Sequence, residues 1–182
     1  MARGLVIVDI QNDYFPGGAN PLEGPEAAAA QAARLLSRFR ESGEPLVHVQ
    51  HVWDAPNASF MAPGTRGVEI HEAVAPLPGE TVIRKHHPNS FLGTALEEHL
   101  REAGVDSLVV CGMMTSMCVD ATVRAGADLG FPVVVAHDAC ATMALEFGGR
   151  TIPAGDVHAA FLAALGDSYA EVADAGSLAD GH

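Results

Sequence analysis

The chain has 182 residues, a formal net charge of −13 and 48% hydrophobic residues, which is enough apolar content for one compact domain over residues 1–182 with its own core. The acidic balance excludes nucleic acid and anionic membrane surfaces as partners, because both repel such a chain at long range. Three cysteines without paired spacing make no disulfide framework, and the apolar stretch near the N-terminus is too short for a signal peptide, so a cytoplasmic protein is expected.

Leu5–Asp9 is the first apolar run and reads as a buried strand. Gly24 to Ser42 follows as an alanine-rich helix with Leu35, Leu36 and Phe39 at helical spacing, stopped by Gly43. Further strands are expected at Pro45–His51, Thr81–Lys85, Ser107–Gly112 and Pro132–Ala136. Between them, Thr94-Ala-Leu-Glu97 has the pattern of a capping box opening a helix that runs to Gly104, and Cys118–Leu129 reads as a helix closed by Gly130. "MALEFGGRTIP", residues 143–153, is unpatterned and is expected to be a mobile loop over the site or a subunit contact. A helix over Val157–Leu165 and a short strand near Tyr169–Val172 complete the series.

This alternation predicts an α/β fold with a parallel sheet covered on both faces by helices, and in such sheets ligands collect at the carboxyl ends of the strands. Asp9, Lys85 and Cys118 sit at three such ends. Each has a plain structural explanation alone: a turn carboxylate, a solvated lysine, a small buried apolar residue. Their convergence favours a site. A thiol is nucleophilic as thiolate, a form that a helix start and a nearby ammonium favour, while a carboxylate can move the proton. Cys111 and Cys140 lack this setting and read as packing residues.

The segments "VIVDIQNDYF" with Asp9, "VIRKHHPNSFLGTALEEHL" with Lys85, and "LVVCGMMTSMCVDATVRAGADLGFPVVVAHDACAT" with Cys118 together resemble the isochorismatase-like cysteine hydrolases over nearly the whole chain. The resemblance implies a three-layer α/β/α, Rossmann-like domain with a six-stranded parallel sheet and an Asp9-Lys85-Cys118 triad. It also implies a non-proline cis peptide at Met113-Met114, with the N–H groups of Met114 and Cys118 forming an oxyanion hole. No cofactor is implied. The expected reaction is hydrolysis of a small amide, ureido or lactam C–N bond through a thioester on Cys118, and a homo-oligomer, dimer or tetramer, is expected.

Departures from family patterns narrow this. Nicotinamidases of the superfamily carry an Asp-x-His metal motif after the second strand, whereas this chain has His48-Val-Gln-His51 followed by Val-Trp53. His48 and His51 point to opposite faces of an extended strand and do not chelate together, and His86-His87 reads as loop-shaping, so no metal is expected. His51 is placed at the pocket rim and His48 in packing or solvent. Gln11, Phe15, Trp53 and Phe91 join His51 as candidate substrate contacts, because they follow strand ends and aromatics suit a flat small substrate. Vinyl ether hydrolysis of the isochorismatase type, with Asp9 as acid, nicotinamidase activity and a catalytically silent binding role are the alternatives.

Overall fold

The computed structural model describes residues 2–179. Its centre is a parallel sheet of six strands: β1 (Ala2–Val8), β2 (Leu46–His51), β3 (Thr81–Lys85), β4 (Val105–Met113), β5 (Val133–Ala141) and, after a two-stranded hairpin of β6 (Leu145–Phe147) and β7 (Arg150–Ile152), β8 (Glu171–Ala173). The order across the sheet is β3-β2-β1-β4-β5-β8. The chain therefore moves one way from β1 to β3 and the other way from β4 to β8. The crevice between β1 and β4, where direction reverses, is where open α/β sheets bind ligands.

Alternation along β1 sorts the two cores. Leu5 and Ile7 pack with α1 (Pro25–Ser42) and α5 (Ala175–Ala179) on one face, while Val6 and Val8 pack against the other. That second face is covered by α2 (Leu96–Glu102), α3 (Asp120–Asp128) and α4 (Ala154–Ser168). Burial of the central strands on both sides is why they read as continuous apolar runs. Among the described residues, no helix is long and apolar enough to cross a membrane.

Several boundaries differ from the sequence reading. β3 is an edge strand, so Thr81–Arg84 alternate between half-buried and exposed and only its last residue, Lys85, is buried. β5 continues past Ala136 through His137 and Asp138, whose polarity hid the extension; their side chains meet Asp174 and the N–H of Ala175. Thr94 stands one residue before the N-cap Ala95: its hydroxyl accepts from Leu96 N–H at 3.3 Å and donates to Ser90 O, and α2 begins at Leu96. Residues 145–152, expected as a loop, pair as the β6-β7 hairpin around Gly148 and Gly149, both at positive φ, a turn that glycine permits in short hairpins. α5 carries no signal strong enough to have been expected.

Candidate active site

The floor of the site is assembled from strand ends. Asp9 follows β1 directly and adopts φ 50°, the left-handed region that aspartate tolerates better than most residues. Its N–H still donates to Val49 O of β2 at 3.1 Å, so the carboxylate leaves the sheet from a fixed backbone. Lys85, the last residue of β3, reaches past β2 and places Nζ 2.7 Å from Asp9 Oδ2 and 2.9 Å from Pro88 O. Both side chains are fully buried. The Asp9–Lys85 contact is a charge pair without hydrogen-bond angles, and neither Asp9 oxygen has a hydrogen-bond partner among the described residues. Low polarity strengthens the attraction and leaves the carboxylate oxygens open to a proton.

Cys118 comes from the far side of the crevice. Gly112 of β4 has φ 133°, and a Cβ there would overlap the Val8 carbonyl, so β1 and β4 approach closely just before the turn. The Met113-Met114 peptide is cis. The chain then winds through one π-helical turn, Thr115–Val119, closed by Val119 N–H donating to Met114 O at 3.1 Å, and α3 begins only at Asp120. Cys118 lies inside this wider turn, where the sequence suggests an ordinary helix start. Thr115 Oγ1 lies 2.9 Å from His158 Nδ1 and Ser116 Oγ 2.8 Å from Thr142 Oγ1, tying the turn to α4 and to the end of β5.

Burial adds an influence on Cys118 that the sequence does not display. Burial pushes the Cys118 thiol above its ordinary value and the Asp9 carboxylate pushes the same way, while Lys85 only opposes them. Burial and the Asp9 charge both favour the protonated form.

His51 ends β2 with Nδ1 4.0 Å from Asp9 Oδ2 and without a hydrogen-bond partner among the described residues. Burial lowers its pKa, so the ring is neutral at physiological pH. Asp9, His51 and Cys118 each offer a donor atom within 4.8 Å of the others, the one group of three such side chains among the described residues able to hold a metal ion. The Lys85 ammonium beside Asp9 opposes a cation there. His48 is buried, with Nε2 3.0 Å from Glu80 Oε2, and faces away from this cluster.

Above the floor lies a cavity of about 320 Å³. Tyr14 comes from the turn after β1, Trp53, Phe60 and Met61 from the segment between β2 and β3, and His86 and Pro88 from the loop after β3. Met114, Met117 and Cys118 close the remaining side, and His51 lines it as well. Of the expected substrate contacts, His51 and Trp53 face this cavity. Gln11, Phe15 and Phe91 do not. Gln11 clamps the backbone of His51, accepting from its N–H and donating to its carbonyl, both at 2.8 Å. Phe15 stacks on His71 at 3.6 Å beside a separate hollow, and Phe91 stacks on Phe131 within the core. Tyr14, Phe60, Met61, His86, Pro88 and Met117 are the lining residues not expected as contacts; four of them lie within the quoted segments, but Phe60 and Met61 follow no strand end.

The family model for the isochorismatase domain matches residues 3–176. The chain belongs to the isochorismatase family. The uncharacterized isochorismatase family protein YddQ of Bacillus subtilis is 54% identical over 172 residues, covering 94% of this chain and 96% of that protein. A crystal structure described as an isochorismatase hydrolase from Oleispira antarctica superposes with a TM-score of 0.95 at 50% identity, covering 99% of this chain and 97% of that one. The maleamate amidohydrolase of Pseudomonas putida is 34% identical over 149 residues, 74% of this chain and 70% of its own length. The chain is thus an isochorismatase-family hydrolase.

In this isochorismatase-family chain one further residue organises the cavity wall. Asp13 is buried and accepts from Ala19 N–H at 3.0 Å and from Met61 N–H, while its own N–H donates to Gly67 O at 3.0 Å. A Cβ on Gly67 would overlap the Asp13 carboxylate, so glycine lets the segment lie against it. Asn12 N–H donates to Glu69 O at 3.0 Å and Gln11 Nε2 to Val68 O at 2.7 Å, continuing the same seam.

Proposed function

We propose that this protein is a cysteine hydrolase that cleaves a C–N bond of a small molecule, of the amide, ureido or lactam type, through a thioester on Cys118. The observation that carries the reading is the meeting of Asp9, Lys85 and Cys118 at the floor of one cavity from three separate strand ends. The maleamate amidohydrolase among its relatives supports amide chemistry.

In this mechanism the Cys118 sulfur attacks the carbonyl carbon as Asp9 accepts the thiol proton. The N–H groups of Met114 and Cys118 are the proposed donors to the developing oxyanion. Asp9 passes its proton to the leaving nitrogen and the C–N bond breaks, leaving the acyl group on sulfur. Water then loses a proton to Asp9, adds to the thioester carbonyl, and expels the Cys118 sulfur, which regains a proton. Lys85 holds the Asp9 carboxylate in place between these steps. Three free, buried cysteines suit a reducing, cytoplasmic setting.

The test is amine or ammonia release from a panel of small amides, ureido acids and lactams, run beside Cys118→Ala with and without chelator. Release that disappears in the variant and ignores the chelator supports the reading; release that survives the variant refutes it. Self-association into a dimer or tetramer is part of the same proposal, and a monomeric mass by light scattering at assay concentration would remove it.

A further inference from the structure

Among the described residues, the lining of the cavity contains no lysine or arginine. Lys85 lies beneath the floor, fully buried and already spent on Asp9 and the Pro88 carbonyl. Four arginines are paired away from the lining: Arg3 with Glu44, Arg40 with Glu80, Arg124 with Asp120, and Arg101 with Glu97 and the ring of Phe131. Of the two imidazoles on the wall, His51 is neutral because of its burial. His86 has Nδ1 2.9 Å from the Val52 carbonyl and 3.8 Å from the Asp54 carboxylate, so its nearest charged partner brings a negative charge to the rim. An incoming anion therefore meets no lysine or arginine on the wall, and burying it unpaired is costly.

What the wall does offer is aromatic surface. Trp53 meets Phe60 edge to face at 5.0 Å and 85°, and Tyr14 stands 6.4 Å from Phe60 at 45°. Three rings, two of them edge to face, line one small space, and an aromatic face attracts quaternary and other weakly hydrated cations whereas its edge does not. A chain of net charge −13 adds a field that draws cations toward it.

We propose that the substrate is a small amide or related C–N compound that carries no anionic group and presents an ammonium or comparable cation to Tyr14, Trp53 and Phe60. This rests on the hydrolase reading above and adds the charge of the substrate to it. A substrate such as maleamate, which is a carboxylate, is the kind this wall rejects.

Trp53 is the single tryptophan of the chain, so its fluorescence reports cavity occupancy without turnover. The experiment titrates Cys118→Ala with three short primary amides of matched shape ending in trimethylammonium, tert-butyl or carboxylate, and measures hydrolysis of the same three by the intact enzyme. The ammonium member is expected to bind at least about tenfold more tightly than the carboxylate and measurably more tightly than the tert-butyl member. Phe60→Leu should reduce the ammonium preference over tert-butyl to near unity. Equal or tighter binding of the carboxylate, parity between ammonium and tert-butyl in the unaltered wall, or no Trp53 response to the ammonium amide up to millimolar concentration would each overturn the inference. Discriminating binding without hydrolysis of any member leaves the charge assignment standing and counts against the hydrolase reading instead.

Discussion

The floor and the wall of the cavity are built by different means. Asp9, Lys85 and Cys118 stand at or just beyond strand ends, on backbone that the six-stranded sheet holds through its ladders. Trp53, Phe60 and Met61 lie in the long connection between β2 and β3, which contains only one short 3₁₀ turn, Glu72–Val74. That connection is held down by polar bonds from Gln11, Asn12 and Asp13 to its backbone. The proposed reaction chemistry thus rests on a rigid scaffold and the proposed substrate wall on a tethered segment, so changes in the two places should fail in different ways.

The largest effect is expected at the floor. Cys118→Ala should lower kcat by about 10⁴-fold or more while leaving the fold intact, since only a thiol is removed. Activity within tenfold of the parent would show that the floor does not work by sulfur attack. Lys85→Met should cost both activity and stability, because Asp9 is then a buried carboxylate without its counter-charge, a loss of about 3–5 kcal/mol in chemical denaturation. Adding Asp9→Leu to that variant should restore much of the stability and none of the activity. Parallel recovery of both would mean that the pair matters only for folding.

The same division explains what was legible in the sequence. Strand ends announce themselves through apolar runs, so Asp9, Lys85 and Cys118 stand out from the amino-acid pattern alone, along with the sheet and most of its helices. His51 and Trp53 were accessible for the same reason, since they end or follow β2. Gln11, Phe15 and Phe91 also follow strand ends, yet their side chains serve the backbone of His51 or pack against His71 and Phe131. Proximity to a strand end fixes where the backbone is, not where the side chain points. Phe60 and Met61 sit in an irregular segment whose path depends on long-range bonds to Asp13, a dependence that no local pattern records. The environment of Cys118 is only half legible for a related reason: its ammonium neighbour is visible as Lys85, but the burial that opposes it is a property of the folded molecule.

A smaller, more selective effect is expected at the wall. Asp13→Ala removes the acceptor for the N–H groups of Ala19 and Met61 and opens space beside Gly67. Loss of a buried acceptor costs about 1–3 kcal/mol in unfolding experiments. If Asp13 only holds the wall, KM should rise about tenfold and kcat should stay within about threefold. A fall in kcat at unchanged KM would instead place Asp13 in the proton chemistry of the floor and erase the distinction between the two regions.

The smallest effect should come from a pair that belongs to neither region. His48 lies buried with Nε2 3.0 Å from Glu80, which also pairs with Arg40 at 2.7 Å and accepts from Leu77 N–H at 2.8 Å. Burial holds His48 below the ordinary imidazole value of 6.5, while the Arg40 hydrogen bond is the main cause that brings Glu80 down to about 2. For His48 the unfolded chain takes up a proton first, so stability is full above about pH 6.5 and declines as pH falls below it. For Glu80 the folded carboxyl is the stronger acid, so its contribution is present above the unfolded value of 4.5 and is lost as pH falls toward about 2. His48→Gln should therefore flatten the melting temperature below about pH 6.5, only in part because burial lowers His51, His71 and His158 as well. Glu80→Gln should lower melting near neutral pH and flatten the more acidic range. Neither should move kcat, since the pair touches no residue that lines the cavity; a change in kcat would mean that the edge of the sheet governs the floor as well as the fold.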